Sequence, residues 1–263
     1  MHVHELHRGS APLLVSLPHD GSEIPEPFAS RMTPEARRSP DTDWHVGRLY
    51  AFARELGASV LRPRYSRYVV DLNRPADGRA LYPGRSETGL VPTVRFDGGP
   101  IYWPGQEPGT DEIRERVAHY WQPYHDALRG ELERLRAAHG RVVLWEGHSI
   151  RAEVPMLFEG RLLDFNLGTH AGASCRPALR ARLEAVLAAQ RDYTHVTDAR
   201  FRGGYITRHY GQPEQGIDAV QLELVQATYM DEDSFEYLPE RAARVQRLIR
   251  GLLEGCVESR GLS

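Results

Sequence analysis

The chain contains no lysine: all 33 of its basic residues are arginine. That removes Schiff-base catalysis at a lysine amine and the lysine-bearing phosphate loop from the chemistry open to it. Cysteine is nearly as scarce. Cys175 and Cys256 are the only two, far apart and in unrelated contexts, so neither a disulfide framework nor a cysteine zinc site is expected, and the expected compartment is a reducing one. Neither sign of charge dominates. A net charge of -3 gives no electrostatic case for nucleic acid or an anionic membrane as partner. Long apolar runs are missing too. No stretch approaches the length that spans a bilayer, and Met1-His2-Val3-His4-Glu5 lacks the basic start and apolar run of a secretory signal, so a soluble cytoplasmic protein is expected.

What is present is enough for one substantial core. With 263 residues, 41% of them hydrophobic, and no internal repeat or flexible linker, residues 1–263 read as a single domain. Short apolar runs predict strands over Pro12–Leu17, Ala58–Leu61, Tyr68–Val70, Arg141–Trp145, Leu162–Leu167 and Ala219–Leu224. Helical spacing covers Trp44–Ala53, with Asp41 as N-cap and Gly57 as stop, and Thr110–His139, where Pro123 starts a second helix or kinks the first. Further helices are predicted over Arg176–Ala189 and Pro239–Val257. This alternation predicts an α/β fold, three layers deep, with a mixed and mostly parallel central sheet. His2, His4 and His7 read as part of a frayed terminus. Pro75–Gly109, dense in turn residues, reads either as a wall or lid of an active site or as a surface excursion, and Arg202–Gly211 as a donor-rich loop.

Chemistry-bearing residues recur where the strands end. Pro12–Leu17 runs into His19, and Arg141–Trp145 runs into His148. Asp43, at the start of a predicted helix, shares a side with Val46, Tyr50 and Ala53 and so points inward. His19, Asp43 and His148 together offer two nitrogens and one oxygen to a divalent ion, with a position left for water, which is the donor set of a catalytic zinc. The competing reading is a pair of core histidines satisfied by hydrogen bonds. Glu223 interrupts an apolar strand, where a carboxylate has a raised pKa or a strong partner, and is the candidate general base. Its bland alternative is the solvent face of an edge strand.

Arg67, Asn73 and Arg74 flank Tyr68–Val70 with guanidinium forks and an amide donor suited to a carboxylate, and Arg208 could join them from its loop. The alternative is an edge strand between solvated arginines. Taken together the parts describe metal-assisted hydrolysis of a small acidic molecule. Serine catalysis fits less well, because there is no Gly-x-Ser-x-Gly elbow and adjacency of Ser149 to His148 implies no geometry.

The longer stretches around these residues carry a resemblance. Pro18-His19-Asp20-Gly21, Asp41-Thr42-Asp43-Trp44, Ser66-Arg67-Tyr68-Val69-Val70-Asp71-Leu72-Asn73-Arg74, Gly147-His148-Ser149-Ile150, Arg202–Gly211 and Gln221-Leu222-Glu223-Leu224 resemble, in order and over nearly the whole chain, the N-formylglutamate amidohydrolase family. The resemblance implies a zinc carboxypeptidase-like fold shared with the aspartoacylases and one zinc. It also implies hydrolysis of an amide on an acidic amino acid, here N-formyl-L-glutamate at the end of histidine degradation. It implies that Asp71-Leu72-Asn73-Arg74 holds substrate; in the mechanism expected from these residues, Asn73, Arg74 and Arg208 fix the substrate carboxylates and Arg67 meets the oxyanion. One departure is Ser22, which stands where the carboxypeptidase-type His-x-x-Glu pair has its glutamate. Asp43 is the expected replacement ligand, with Asp41 and Glu23 as alternatives. Glu146 stands where an aspartate is more usual. The rival functions are deacylation of another N-acyl acidic amino acid and, in a different class, a non-catalytic binding protein for acidic metabolites.

Overall fold

The computed structural model describes residues 2–81, 84 and 87–258. Its strands are β1 (His4–His7), β2 (Leu13–Ser16), β3 (Ser59–Pro63), β4 (Val142–Ile150), β5 (Phe165–Gly168), β6 (His195–Thr197) and β7 (Ile217–Val225). They form one seven-stranded sheet in the order β1-β3-β2-β4-β7-β5-β6. β2 runs parallel to β3 and β4, β4 parallel to β7, and β5 parallel to β6, while β1 with β3 and β5 with β7 are antiparallel. The expected mixed, mostly parallel sheet is therefore present.

The two nine-residue strands at the centre, β4 and β7, are buried at every position, as strands covered on both faces must be. Val220, Leu222 and Leu224 of β7 pack with the helices Pro177–Ala188 and Pro239–Glu258 on one face. Ile217 and Ala219 turn to the other face and meet the helix Gln122–His139. On that second face the alternation carries on into polar residues: Gln221 and Glu223 of β7, Glu146 and His148 of β4, and Ser16 of β2, all buried. The site is thus gathered at the carboxyl ends of the parallel strands, where open α/β sheets take their ligands.

Tyr68–Val70 is not a strand. Its side chains are buried, but its backbone is a turn whose carbonyls are received by side chains rather than by a ladder. Arg116 donates through one nitrogen to Tyr68 O at 3.2 Å and Val69 O at 3.0 Å, His125 Nε2 to Leu72 O at 2.9 Å, and Trp121 Nε1 to Arg74 O at 2.9 Å. A three-residue apolar run signals burial and cannot reveal where its backbone bonds go. The donors sit on one long helical stretch made of Thr110–Arg116, a π turn at Val117–Trp121, and Gln122–His139 with Pro123 near its start. In unbroken α geometry residues 116 and 121 would lie about 140° apart around the axis. The wider π turn lets both face the 67–74 segment.

Other departures are local. Asp41 caps no helix: its carboxylate accepts from Tyr68 Oη at 2.6 Å and Phe96 N at 2.9 Å, and the helix Val46–Leu49 begins only after His45, at φ 65°. Asp43, ahead of that helix, is nevertheless buried, and its N–H donates to His19 O at 3.0 Å. The residues assigned to a frayed terminus include β1, which holds register against β3 from His4↔Pro63 to His7↔Val60. The predicted strand at Leu162 begins at Phe165, and the Arg202–Gly211 loop contains the helix Tyr205–Tyr210. In the 75–109 segment Glu87, Thr88 and Phe96 line the main cleft, so it forms a wall of it. Tyr82, Pro83, Arg85 and Ser86 of that segment, like Met1, lie outside the described residues. Among the described residues, no helix is long and apolar enough to cross a membrane.

His125 gives this scaffold a pH signature. It is buried, donating to Leu72 O and accepting from Tyr210 Oη at 2.9 Å, and burial pushes its pKa down to about 3. The unfolded chain takes up this proton below about pH 6.5 and the folded chain does not, so stability falls as pH drops from about 6.5 toward 3. In urea titrations across that range, His125→Gln should flatten the slope by about one proton.

Candidate active site

Three side chains from distant parts of the sequence converge. His19 follows β2, Asp43 precedes the helix Val46–Leu49, and His148 lies in β4, and one donor atom from each falls within 4.8 Å of the others. The imidazole centroids are 4.8 Å apart. Asp43 Oδ2 is 3.0 Å from His148 Nδ1 and 3.9 Å from His19 Nδ1, and it also accepts from Ser149 N at 3.1 Å. The opposite nitrogens are taken. His19 Nε2 is 2.7 Å from Asp71 Oδ1, and His148 Nε2 is 2.7 Å from Glu146 Oε1. Each carboxylate takes the Nε2 side of its ring and turns Nδ1 toward Asp43, where Nδ1 can give a lone pair to an ion once it carries no proton, which is how metal-ligating histidines are oriented. The residues fit a divalent ion.

Neither alternative for the acidic donor joins this cluster. Asp41 is bound to Tyr68 and Phe96, and Glu23 is an exposed partner of Arg64 at 2.8 Å.

The surrounding charges account for the protonation of each group. Burial and then Arg67 lower the pKa of His19, against the pull of Asp71 and Asp43. Burial also opposes a charge on His148, but its hydrogen bonds to Asp43 and Glu146 outweigh that and hold its pKa well above the usual value. A cation at Nδ1 would take the place of that proton. Burial works against ionised Asp71 too, yet Arg67, His19 and Arg74 keep it well below the usual carboxylate range. Arg67 donates to Asp71 Oδ2 at 2.7 Å and lies over the Phe96 ring, 5.0 Å from its centroid.

Glu223 differs from these. It pairs in register with His148, lines the cleft, and is raised to about 8 by burial, with His148 pulling the other way and Asp43 adding to the rise. β7 lies between β4 and β5, so the edge-strand alternative is overturned.

Of the residues expected to hold substrate, Asn73 and Arg74 line the cleft and Arg208 does not. Arg208 donates to Gly203 O at 2.8 Å and Leu81 O at 3.1 Å, because the helix Tyr205–Tyr210 sets its direction where a loop was expected. Arg74 is steadied by Thr88 O at 2.8 Å and Asn73 O at 3.0 Å. Ser149 Oγ accepts from Tyr229 Oη at 2.7 Å and Gln226 Nε2 at 3.4 Å, and among the described residues no histidine or carboxylate is hydrogen-bonded to it.

Reading the sequence missed the parts played by Asp71, Glu146 and Thr207, and that Gln221 and Arg200 line the cleft. Glu146 could have been found, since it precedes His148 by two and so shares its face of a strand. Its second oxygen accepts from Thr207 N at 2.9 Å and from the Thr207 hydroxyl, a contact between distant segments with no sequence signal.

Known proteins agree with this architecture. A family model described as N-formylglutamate amidohydrolase matches residues 11–230. An N-formylglutamate deformylase of Pseudomonas aeruginosa is 55% identical over 248 residues, covering 94% of this chain and 93% of that protein. One of Pseudomonas putida is 49% identical over 253 residues, covering 96% and 94%. The crystal structure of an N-formylglutamate amidohydrolase from Ralstonia eutropha JMP134 superposes with a TM-score of 0.82 at 24% identity, over 98% of this chain and 97% of that one, and so shows the same fold. On the family match and on identity along nearly its full length, this chain is an enzyme that belongs to the N-formylglutamate amidohydrolase family.

Proposed function

We propose that this enzyme hydrolyses N-formyl-L-glutamate to formate and L-glutamate, with one zinc ion held by His19, Asp43 and His148. The observation that carries the reading is the matched orientation of the two imidazoles. Each gives Nε2 to a buried carboxylate and turns Nδ1 to the same Asp43 oxygen. Core histidines need only a partner each, whereas two held in one orientation around a third donor suit an ion. The name borne by the two Pseudomonas relatives supports the formyl group, and the arginines of the cleft support an anionic substrate. In cytoplasm this reaction would be the last step of a histidine degradation route.

Zinc bound there supplies Lewis acidity that polarises the formyl carbonyl and makes water easier to deprotonate. The remaining work falls to the protein. Glu223 takes a proton from the attacking water as the new C–O bond forms at the formyl carbon. Its raised pKa suits a group that must accept a proton and then give it up. Arg67, held rigidly by Asp71, offers positive charge to the oxygen that becomes negative in the tetrahedral intermediate. As the C–N bond breaks, Glu223 passes the proton to the departing nitrogen of glutamate. Asn73 and Arg74 fix the substrate carboxylates.

Formate release measured across a panel of N-formyl, N-acetyl and N-succinyl derivatives of glutamate and aspartate should single out N-formyl-L-glutamate, and preference for a longer acyl group would overturn the assignment. Glu223→Gln should retain zinc while kcat falls about 10³-fold, and near-normal turnover would remove it as the base. Chelation should abolish formate release and zinc should restore it. Because a proton on His148 competes with the ion, zinc affinity should weaken about tenfold for each pH unit of acidification, as read by calorimetry in buffers of different ionisation heat.

A further inference from the structure

We propose that Gln221 is a substrate-binding residue that tells acid from amide, its carboxamide NH2 donating, beside that of Asn73, to a carboxylate oxygen of the substrate. This rests on the reading of the cleft as a site for an N-acyl acidic amino acid. Gln221 lies on β7 two residues before Glu223, on the same face, lines the cleft, and is only 3% exposed. Gly204 N–H donates to its Oε1 at 2.7 Å. Only the oxygen of an amide can accept that bond, so the direction of the side chain is fixed and Nε2 must point the other way. Among the described residues Nε2 meets no acceptor, although it belongs to a buried side chain. Nε2 is not one of the side-chain atoms sealed off without a partner, so it opens onto the cleft, where an acceptor on a bound molecule can reach it.

Asn73 is held in the same fashion. Ile206 N–H donates to its Oδ1 at 2.9 Å. Its Nδ2 stands 3.1 Å from His148 Nε2, and an amide nitrogen carries a second N–H that is left to serve the cleft. One turn, 204–206, therefore grips two carboxamides by their oxygens and presents both nitrogens. The grip is close: a Cβ on Gly204 would come within 2.2 Å of Asn73 Nδ2. With Arg74 alongside, this arrangement receives acceptors only. A carboxylate satisfies it with either oxygen, whereas a carboxamide brings its own donors against it.

Q221E tests the role, because it keeps an acceptor for Gly204 N–H while replacing the donor with a second, charged acceptor. Formate release by the purified enzyme would be compared for N-formyl-L-glutamate and its two monoamides, N-formyl-L-glutamine and N-formyl-L-isoglutamine. Calorimetric binding of L-glutamate, L-glutamine and L-isoglutamine runs beside it. The expected result is an acid-over-amide preference reduced about 100-fold for one of the two monoamides, mainly through KM, with the affected monoamide identifying which carboxylate Gln221 holds. A preference within about threefold of wild type for both monoamides in both assays would overturn the proposal. Should Q221E fail to give the wild-type near-ultraviolet circular dichroism, Q221M carries the test: the same preference is expected to fall about tenfold, and an unchanged one overturns the proposal. If wild type releases no formate from N-formyl-L-glutamate, the assigned reaction is lost, and the binding series still decides the role of Gln221.

Discussion

The structure depends on one constraint: a carboxylate that cannot reach water must be given a partner. Asp43, Asp71, Glu146 and Glu223 are all buried around one cleft. Three of them are answered. Asp71 has Arg67 and His19, Glu146 has His148 and Thr207, and Asp43 has His148 and the backbone of Ser149. Isolated buried charges are costly enough that each of these contacts fixes a geometry as well as relieving a penalty. Glu223 has no comparable ion pair, and burial raises its pKa. The same economy of charge separates a supporting carboxylate from a reactive one.

Local signals in the sequence were enough for the parts of the fold that obey a short period. β2, β3, β4 and β7 announce themselves as apolar runs, and the helices Pro177–Ala188 and Pro239–Glu258 as apolar stripes. Period-two alternation in β7 also separates Leu222 from Glu223, and the structure puts them on opposite faces. Tyr68–Val70 was misread because burial and strand pairing look alike over three residues. β1 and β6 were unreadable because their residues are half-exposed, so no pattern marks them.

The candidate site was legible to the same degree and for the same reason. His19, His148 and Glu223 stand out as polar residues on apolar strands, and Asp43 by its place beside a helix start. That Arg208 would lie outside the cleft lining was not legible, because a glycine-flanked stretch does not disclose that it winds into a helix, and one turn of helix decides which way a guanidinium points. The supporting contacts from Thr207 to Glu146 and from Gly204 to Gln221 cross between segments far apart in the chain, and nothing local encodes them.

The π turn at Val117–Trp121 behaves as one residue added to an otherwise regular helix. Its five residues carry the chain about as far around the axis as four do in α geometry, about 400°. Deleting one residue between Arg116 and Trp121 would therefore leave both, and His125 beyond them, facing the carbonyls they serve. Keeping the length while forcing regular α geometry would instead swing Trp121 about 140° away from Arg116. The helix is matched to the arm it suspends by its phase, and the wide turn is the device that absorbs a surplus residue without losing that phase.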